Sequence, residues 1–138
     1  MKKIVLDTNI YISALHFPQS ITRKLFDSPR DSSFELVISK EIISELLGVL
    51  GIKFEYTSEK LDLLEELLQS FCEIIEPKKR VRIIKDDPAD NKILECAWEG
   101  KADIIISGDK HLLKIKTFKG IKIMTPKEFQ ENIYSALD

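Results

Sequence analysis

Four acidic side chains occupy positions from which carboxylates could act together: Asp7, Glu45, Asp90 and Asp109. Asp7 directly follows the apolar run 4–6, and Asp109 follows the apolar run 104–106 after a Ser107-Gly108 turn. Sites in parallel sheets form beyond the carboxyl ends of the strands, so these two carboxylates are expected at one edge of a sheet. The alternative for each is a helix N-cap or turn role, which also suits aspartate.

The other two acids lie in segments with helical periodicity. Asp90 shares a helical face with the apolar Ile93 and Ala97, so its carboxylate is expected to point toward the sheet. A carboxylate that points inward needs a metal ion or hydrogen-bond donors. Glu45 lies at the border of the apolar side of its helix, where a solvated glutamate is the more ordinary interpretation.

The combination of acids predicts metal chemistry. Two carboxylates about 4 Å apart repel each other by about 4 kcal/mol at an effective dielectric constant near 20. Such a cluster persists only when it binds cations or holds protons. Oxygen ligands without cysteine or histidine favour Mg²⁺ or Mn²⁺ over Zn²⁺. A divalent ion of this kind suits phosphodiester hydrolysis, because it activates water and neutralises the phosphate.

The composition indicates an ordinary globular protein of one domain, residues 1–138. The net charge of -2 gives no support for nucleic-acid binding over the whole surface, so such binding must depend on a local patch. Cys72 and Cys96 have no partner spacing and are expected to be buried, reduced thiols. No run approaches 18 apolar residues, and the first apolar run is too short for a secretory signal, so we expect no membrane span and a cytoplasmic location.

Short apolar runs alternate with helical patterns along the chain. Strands are predicted at 3–6, 35–38, 73–75, 103–106 and 121–124, mostly as continuous runs typical of strands buried on both faces. Helices are predicted at 10–15, at 21–26, from Ser39 to about residue 50, from Ser58 to 71, from Asp87-Pro88 to Gly100, and after Thr125-Pro126. This alternation predicts an α/β fold with a parallel sheet covered by helices.

Segments around the four acids resemble the motifs of the PIN-domain nucleases. They are IVLDTN at 4–9, SKEIISEL at 39–46, DPADNK at 87–92 with ECA at 95–97, and ADIIISGDKHLL at 102–113. The closing IMTPKEF at 123–129 also agrees, so order and spacing match over essentially the whole chain.

The resemblance implies a three-layer α/β/α fold with a central parallel sheet of about five strands. It also implies cleavage of single-stranded RNA with Mg²⁺ or Mn²⁺. The nearest likeness is to the VapC-like toxins of toxin–antitoxin pairs, which implies a homodimer and a small antitoxin as partners. Asp7, Glu45, Asp90 and Asp109 take the acidic, metal-binding positions of the family. The resemblance also implies that hydroxyl or amide groups support the site, from Thr8, Asn9 and Ser107.

Several alternatives stay open at this level. Asp87, interpreted as the helix cap, trades places with Asp90 if the helix begins differently. The basic run at 78–80 with Arg82 is interpreted mainly as a solvated face, and His111 alone is weak evidence for a general base. A phosphatase is disfavoured because Thr8-Asn9 follows the first acid where Asp-x-Asp is needed. A non-catalytic RNA- or protein-binding module that keeps the fold is the remaining alternative.

Overall fold

A computed structural model describes residues 2–17, 19, 23, 34–85 and 88–131, and in this part of the chain a six-stranded sheet forms the centre. Its strand order is β3-β2-β1-β4-β6-β5. The strands are β1 (Lys2–Leu6), β2 (Phe34–Ser39), β3 (Cys72–Ile75), β4 (Ile104–Ile106), β5 (Thr117–Phe118) and β6 (Ile121–Met124). Every neighbouring pair is parallel except β5 with β6. The five predicted strands are confirmed, and β5 is an additional, antiparallel edge strand that was not predicted.

Helices connect these strands. The described helices are α1 (Thr8–His16), α2 (Lys40–Lys53), α3 (Ser58–Phe71), α4 (Asn91–Glu99), α5 (Lys110–Ile115) and α6 (Pro126–Phe129). Ser39 caps α2 as predicted, because its hydroxyl accepts a hydrogen bond from the Ile42 N–H at 3.1 Å. The predicted cap of α3 is wrong by one residue: Thr57, not Ser58, accepts from the Lys60 N–H.

The segment before α4 differs from the prediction. Residues Pro88–Asp90 form a 3₁₀ turn, so Asp90 precedes the α-helix instead of lying in its first turn. Gly100 ends α4 as predicted. A Cβ atom on Gly100 would lie 2.7 Å from the Val37 side chain, so this glycine lets α4 approach β2 closely. The predicted helix at 21–26 and the proposed Asp87 cap lie outside the described residues.

The core lies on both faces of the sheet. Consecutive residues of β1, β2 and β4 are buried, which requires packed layers above and below them. Both cysteines are buried and unpaired, and burial raises the pKa of each thiol to about 12, as expected for inert thiols. None of the described helices is long and apolar enough to cross a membrane.

Candidate metal centre

Two of the four predicted acids cap helices at the carboxyl edge of the sheet. Asp7 follows β1 and accepts a hydrogen bond from the Asn9 N–H at 2.8 Å on Oδ1, which starts α1. Asp109 follows β4 and accepts from the His111 N–H at 2.8 Å, which starts α5. The capping role foreseen as an alternative is therefore real, and it fixes both carboxylates at the same edge.

The structure brings all four predicted acids around one small pocket. Asp7, Glu45, Asp90 and Asp109 line a cavity of about 160 Å³, together with Thr8, Asn9, Val49, Lys53, Ala89 and Ile93. Four acids against Lys53 leave the pocket with an excess of three negative charges. We call this cavity the acid pocket. Glu45, Val49 and Lys53 follow one another at four-residue spacing on α2, so helical periodicity alone would have found Val49 and Lys53.

Asp7 is the most buried of the four acids, at 5% exposure. Burial is the main cause that raises the pKa of its carboxyl, and the charge of Asp109 acts in the same direction. Hydrogen bonds from Ser107 and from two backbone N–H groups oppose this shift. No lysine, arginine or histidine within the described ranges pairs with Asp7. In the part of the chain that the structure describes, hydrogen-bond donors stabilise its negative charge and no ion pair does.

Ser107 links two of the acids. Its fully buried hydroxyl donates to Asp7 Oδ2 and accepts from the Asp109 N–H at 2.9 Å. The hydroxyl of Thr8, a residue only 7% exposed, has no hydrogen-bond partner among the described residues. A buried hydroxyl without a partner indicates a missing polar neighbour at the pocket. Asn9 contributes its backbone N–H, and its side chain is exposed.

Glu45 has a different environment from the other acids. Its carboxylate forms an ion pair with Lys92 Nζ, and the two side chains are 32% and 21% exposed. Lys92 follows Asp90 by two residues and was not identified from the sequence as a site residue. The ion pair holds Glu45 at the rim of the acid pocket and offsets one of the negative charges of the pocket.

His111 lies closer to the acids than its lone occurrence indicated. Its Nδ1 is 3.6 Å from Asp109 Oδ1. Ligand atoms of Asp90, Asp109 and His111 all lie within 4.8 Å of one another. The sequence could have indicated this, because His111 lies only two residues after the capping Asp109. Asp103, in contrast, directly precedes β4 at the amino ends of the strands and accepts a hydrogen bond from the Lys3 N–H.

These donors fit a divalent cation. Carboxylate oxygens are the ligands that Mg²⁺ and Mn²⁺ prefer, and the imidazole of His111 adds a donor that Mn²⁺ and Zn²⁺ also accept. The repulsion among Asp7, Asp90 and Asp109 gives a bound cation a favourable electrostatic environment. The unpartnered Thr8 hydroxyl adds an oxygen that can contact the ion or a water molecule.

Comparisons with known proteins identify the family and the fold. The model of the PIN domain matches residues 3–111. The chain is 33% identical to the uncharacterized protein MJ1680 of Methanocaldococcus jannaschii, over 94% of this chain and 90% of that protein.

Solved structures show the same fold. A chain of VapBC2 from Rickettsia felis, bound to a DNA fragment from its promoter, is 17% identical with a TM-score of 0.60, covering 88% of this chain and 96% of that one. A chain of VapBC-1 from nontypeable Haemophilus influenzae is 20% identical with a TM-score of 0.63, covering 91% and 98%. At these identities the likeness is one of fold.

Proposed function

The chain belongs to the PIN domain family, and from that premise we propose that it is an Mg²⁺- or Mn²⁺-dependent endoribonuclease that cleaves single-stranded RNA. The observation that carries the proposal is the convergence of Asp7, Asp90 and Asp109 on one pocket from three separate segments. A divalent ion held by these carboxylates would supply an activated water and neutralise the scissile phosphate.

The residues of the chain have distinct roles in this proposal. Asp7 and Asp109 are held in place because each caps a helix and both contact Ser107. Asp90 completes the set of carboxylates from the 3₁₀ turn before α4. Glu45 orients water at the rim, where its ion pair with Lys92 fixes its position. Because water attacks and the RNA 2′-hydroxyl does not, the products carry a 5′-phosphate and a 3′-hydroxyl.

The partners are part of the same proposal. The fold shared with chains of two VapBC structures supports a role as the toxin of a toxin–antitoxin pair, with a small antitoxin and a second copy of the chain as partners. Molar-mass measurement in solution tests the homodimer. Isolation of the chain from its native cells tests the antitoxin, a small protein that is expected to co-purify and to inhibit cleavage.

The activity test uses single-stranded RNA with Mn²⁺ and two matched variants. Asp90→Asn removes a carboxylate from the acid pocket, and Asp103→Asn makes the same change at the opposite edge of the sheet. The wild type and Asp103→Asn are expected to cleave, and Asp90→Asn to be inactive. Equal cleavage by all three would indicate a contaminating nuclease and overturn the proposal. RNA binding without any cleavage would favour the non-catalytic binding module instead.

A further inference from the structure

A larger groove with the opposite charge adjoins the acid pocket. It has a volume of about 630 Å³. Its cationic side chains are Arg80, Arg82, Lys85 and Lys92, and its acidic side chains are Glu41 and Glu95. Four cations against two glutamates leave an excess of two positive charges. We refer to it as the cationic groove.

Residues 81–84, an irregular segment that lines the groove, are held in place by hydrogen bonds from side chains of α4. Asn91 accepts from the Ile84 N–H and donates to the Ile84 carbonyl, both at 3.0 Å. Glu95, one helical turn later, accepts from the Val81 N–H at 2.9 Å. Val81 and Ile84 are themselves buried in the core. Residues 81–84 are therefore fixed in place before any ligand arrives.

The cations of the groove are not equivalent. Arg80 bridges Glu41 and Glu95, with N–O distances of 2.9 and 3.1 Å, so its charge is already offset. Arg82 and Lys85 are exposed, and neither has an ion-pair partner among the residues that the structure describes. A fixed backbone that carries two exposed cations, unpaired within the described ranges, is suited to a partner that is itself strongly anionic.

The groove and the acid pocket share one wall. Pro88, Asn91 and Lys92 face the groove. Ala89, Asp90 and Ile93, which alternate with them in sequence, face the acid pocket. Lys92 also contacts Glu45 across this wall. The groove and the acid pocket therefore adjoin each other across the 3₁₀ turn and the first turn of α4.

We propose that the cationic groove binds the phosphates of the single-stranded RNA that enters the acid pocket, with Arg82 and Lys85 as the contacts. The proposal rests on the proposed ribonuclease function and adds the path of the substrate. Phosphates spaced along a strand match separate cations along a groove. The exposed Pro88 in the lining of the groove offers an apolar surface to a base.

The test measures RNA binding without cleavage, by fluorescence anisotropy of a short labelled single-stranded RNA in EDTA. The double variant Arg82→Ala/Lys85→Ala is compared with Lys2→Ala/Lys122→Ala, which removes two exposed lysines at the amino ends of β1 and β6, on the opposite edge of the sheet. Two phosphate contacts on a single strand predict a Kd raised about 25-fold at about 0.1 M salt, and a salt slope reduced by about 1.4. The control is expected to bind as the wild type does.

The outcomes separate this proposal from the proposed function. Unchanged affinity and salt slope in Arg82→Ala/Lys85→Ala would overturn the groove, even if Mn²⁺-dependent cleavage is observed. The predicted loss of binding together with no cleavage by the wild type would support the groove and overturn the hydrolysis. Binding of labelled polyglutamate but not RNA would also overturn the proposal, because it would indicate an acidic protein segment as the occupant.

Discussion

The acid pocket and the cationic groove lie on two sides of the same wall, and they are built in opposite ways. The acid pocket collects carboxylates from the ends of β1 and β4, from α2 and from the turn before α4, all distant in sequence. The groove takes most of its cations from residues 80–85. The pocket therefore forms only when distant parts of the chain fold together. The groove depends on the hydrogen bonds that attach residues 81–84 to α4.

The two regions also differ in how their charges are compensated. In the groove Arg80 is paired with two glutamates, and Arg82 and Lys85 are exposed to solvent. In the pocket Asp7 is buried and forms no ion pair within the described ranges. Uncompensated buried charge lowers stability, so a protein retains it where a ligand will neutralise it. The charge of the pocket therefore suits a cation, and the charge of the groove suits an anion.

The largest expected effect comes from removing a carboxylate of the acid pocket. Asp109→Asn keeps the cap of α5, because asparagine is an equally good N-cap. Cleavage is expected to fall by about a thousandfold, about 4 kcal/mol, as the charge stabilisation given by a metal ion is lost. RNA binding in EDTA should be retained, since an anion has been removed. Steady-state cleavage and anisotropy check the two results, and a loss of binding equal to the loss of cleavage would contradict the division into two regions.

The next largest effect concerns the hydrogen bonds that attach residues 81–84 of the groove to α4. Asn91→Ala leaves the N–H and carbonyl of Ile84 without their partner, both in a buried environment. The free energy of unfolding is expected to fall by about 3 kcal/mol, and the Ile84 amide should exchange its hydrogen much faster. Urea unfolding and hydrogen exchange measure these changes. A loss below about 0.5 kcal/mol would mean that α4 does not hold the segment.

Lys92 joins the two regions, and its replacement has a smaller effect. Lys92→Gln removes the ion pair with Glu45 and is expected to cost about 1 kcal/mol of stability in EDTA, because both side chains are partly exposed. Saturating Mn²⁺ should recover this loss, since the ion neutralises the carboxylate in place of the lysine. Thermal melting with and without Mn²⁺ tests this. An equal deficit under both conditions would place Lys92 outside the electrostatics of the acid pocket.

The smallest expected effect is the pH dependence of Asp7. Its pKa is raised in the folded protein, chiefly by burial, so the folded state holds a proton that the unfolded state has released. Without metal, the free energy of unfolding therefore falls as the pH rises from the ordinary carboxyl pKa to the raised pKa of folded Asp7. Asp7→Asn, which keeps the cap, should melt above the wild type at pH 7 in EDTA and lose that advantage near pH 4. An advantage of the same size at both values would mean that Asp7 does not carry the effect.

The sequence predicted the fold where hydrophobic periodicity determines it. All five parallel strands, the Ser39 cap and the helix after Thr125-Pro126 are confirmed, because these depend on local residue patterns. Strand β5 has only two residues, too few for a periodic signal, and its turn to β6 depends on positive φ angles at Lys119 and Gly120. The 3₁₀ turn before α4 was also missed, because a proline near a helix start fits either geometry.

For the site, the sequence predicted the meeting of four acids but not their partners. The ends of parallel strands and the face of a helix place Asp7, Asp109 and Asp90 in one region, and the structure puts them around one pocket. The contact of Lys92 with Glu45 spans 47 residues, and no local pattern encodes it. No local pattern encodes the hydrogen bonds by which Asn91 and Glu95 hold residues 81–84 in place either.

Thermal melting in a Mn²⁺ titration tests most directly whether the acid pocket is a metal centre. At about 100 times the Kd, the ion is expected to stabilise the wild type and Asp103→Asn by about 2.7 kcal/mol, a rise in Tm of roughly 8 °C. Asp90→Asn should lose most of this shift. No rise in the wild type, or the same rise in all three proteins, would contradict a cation bound by these carboxylates.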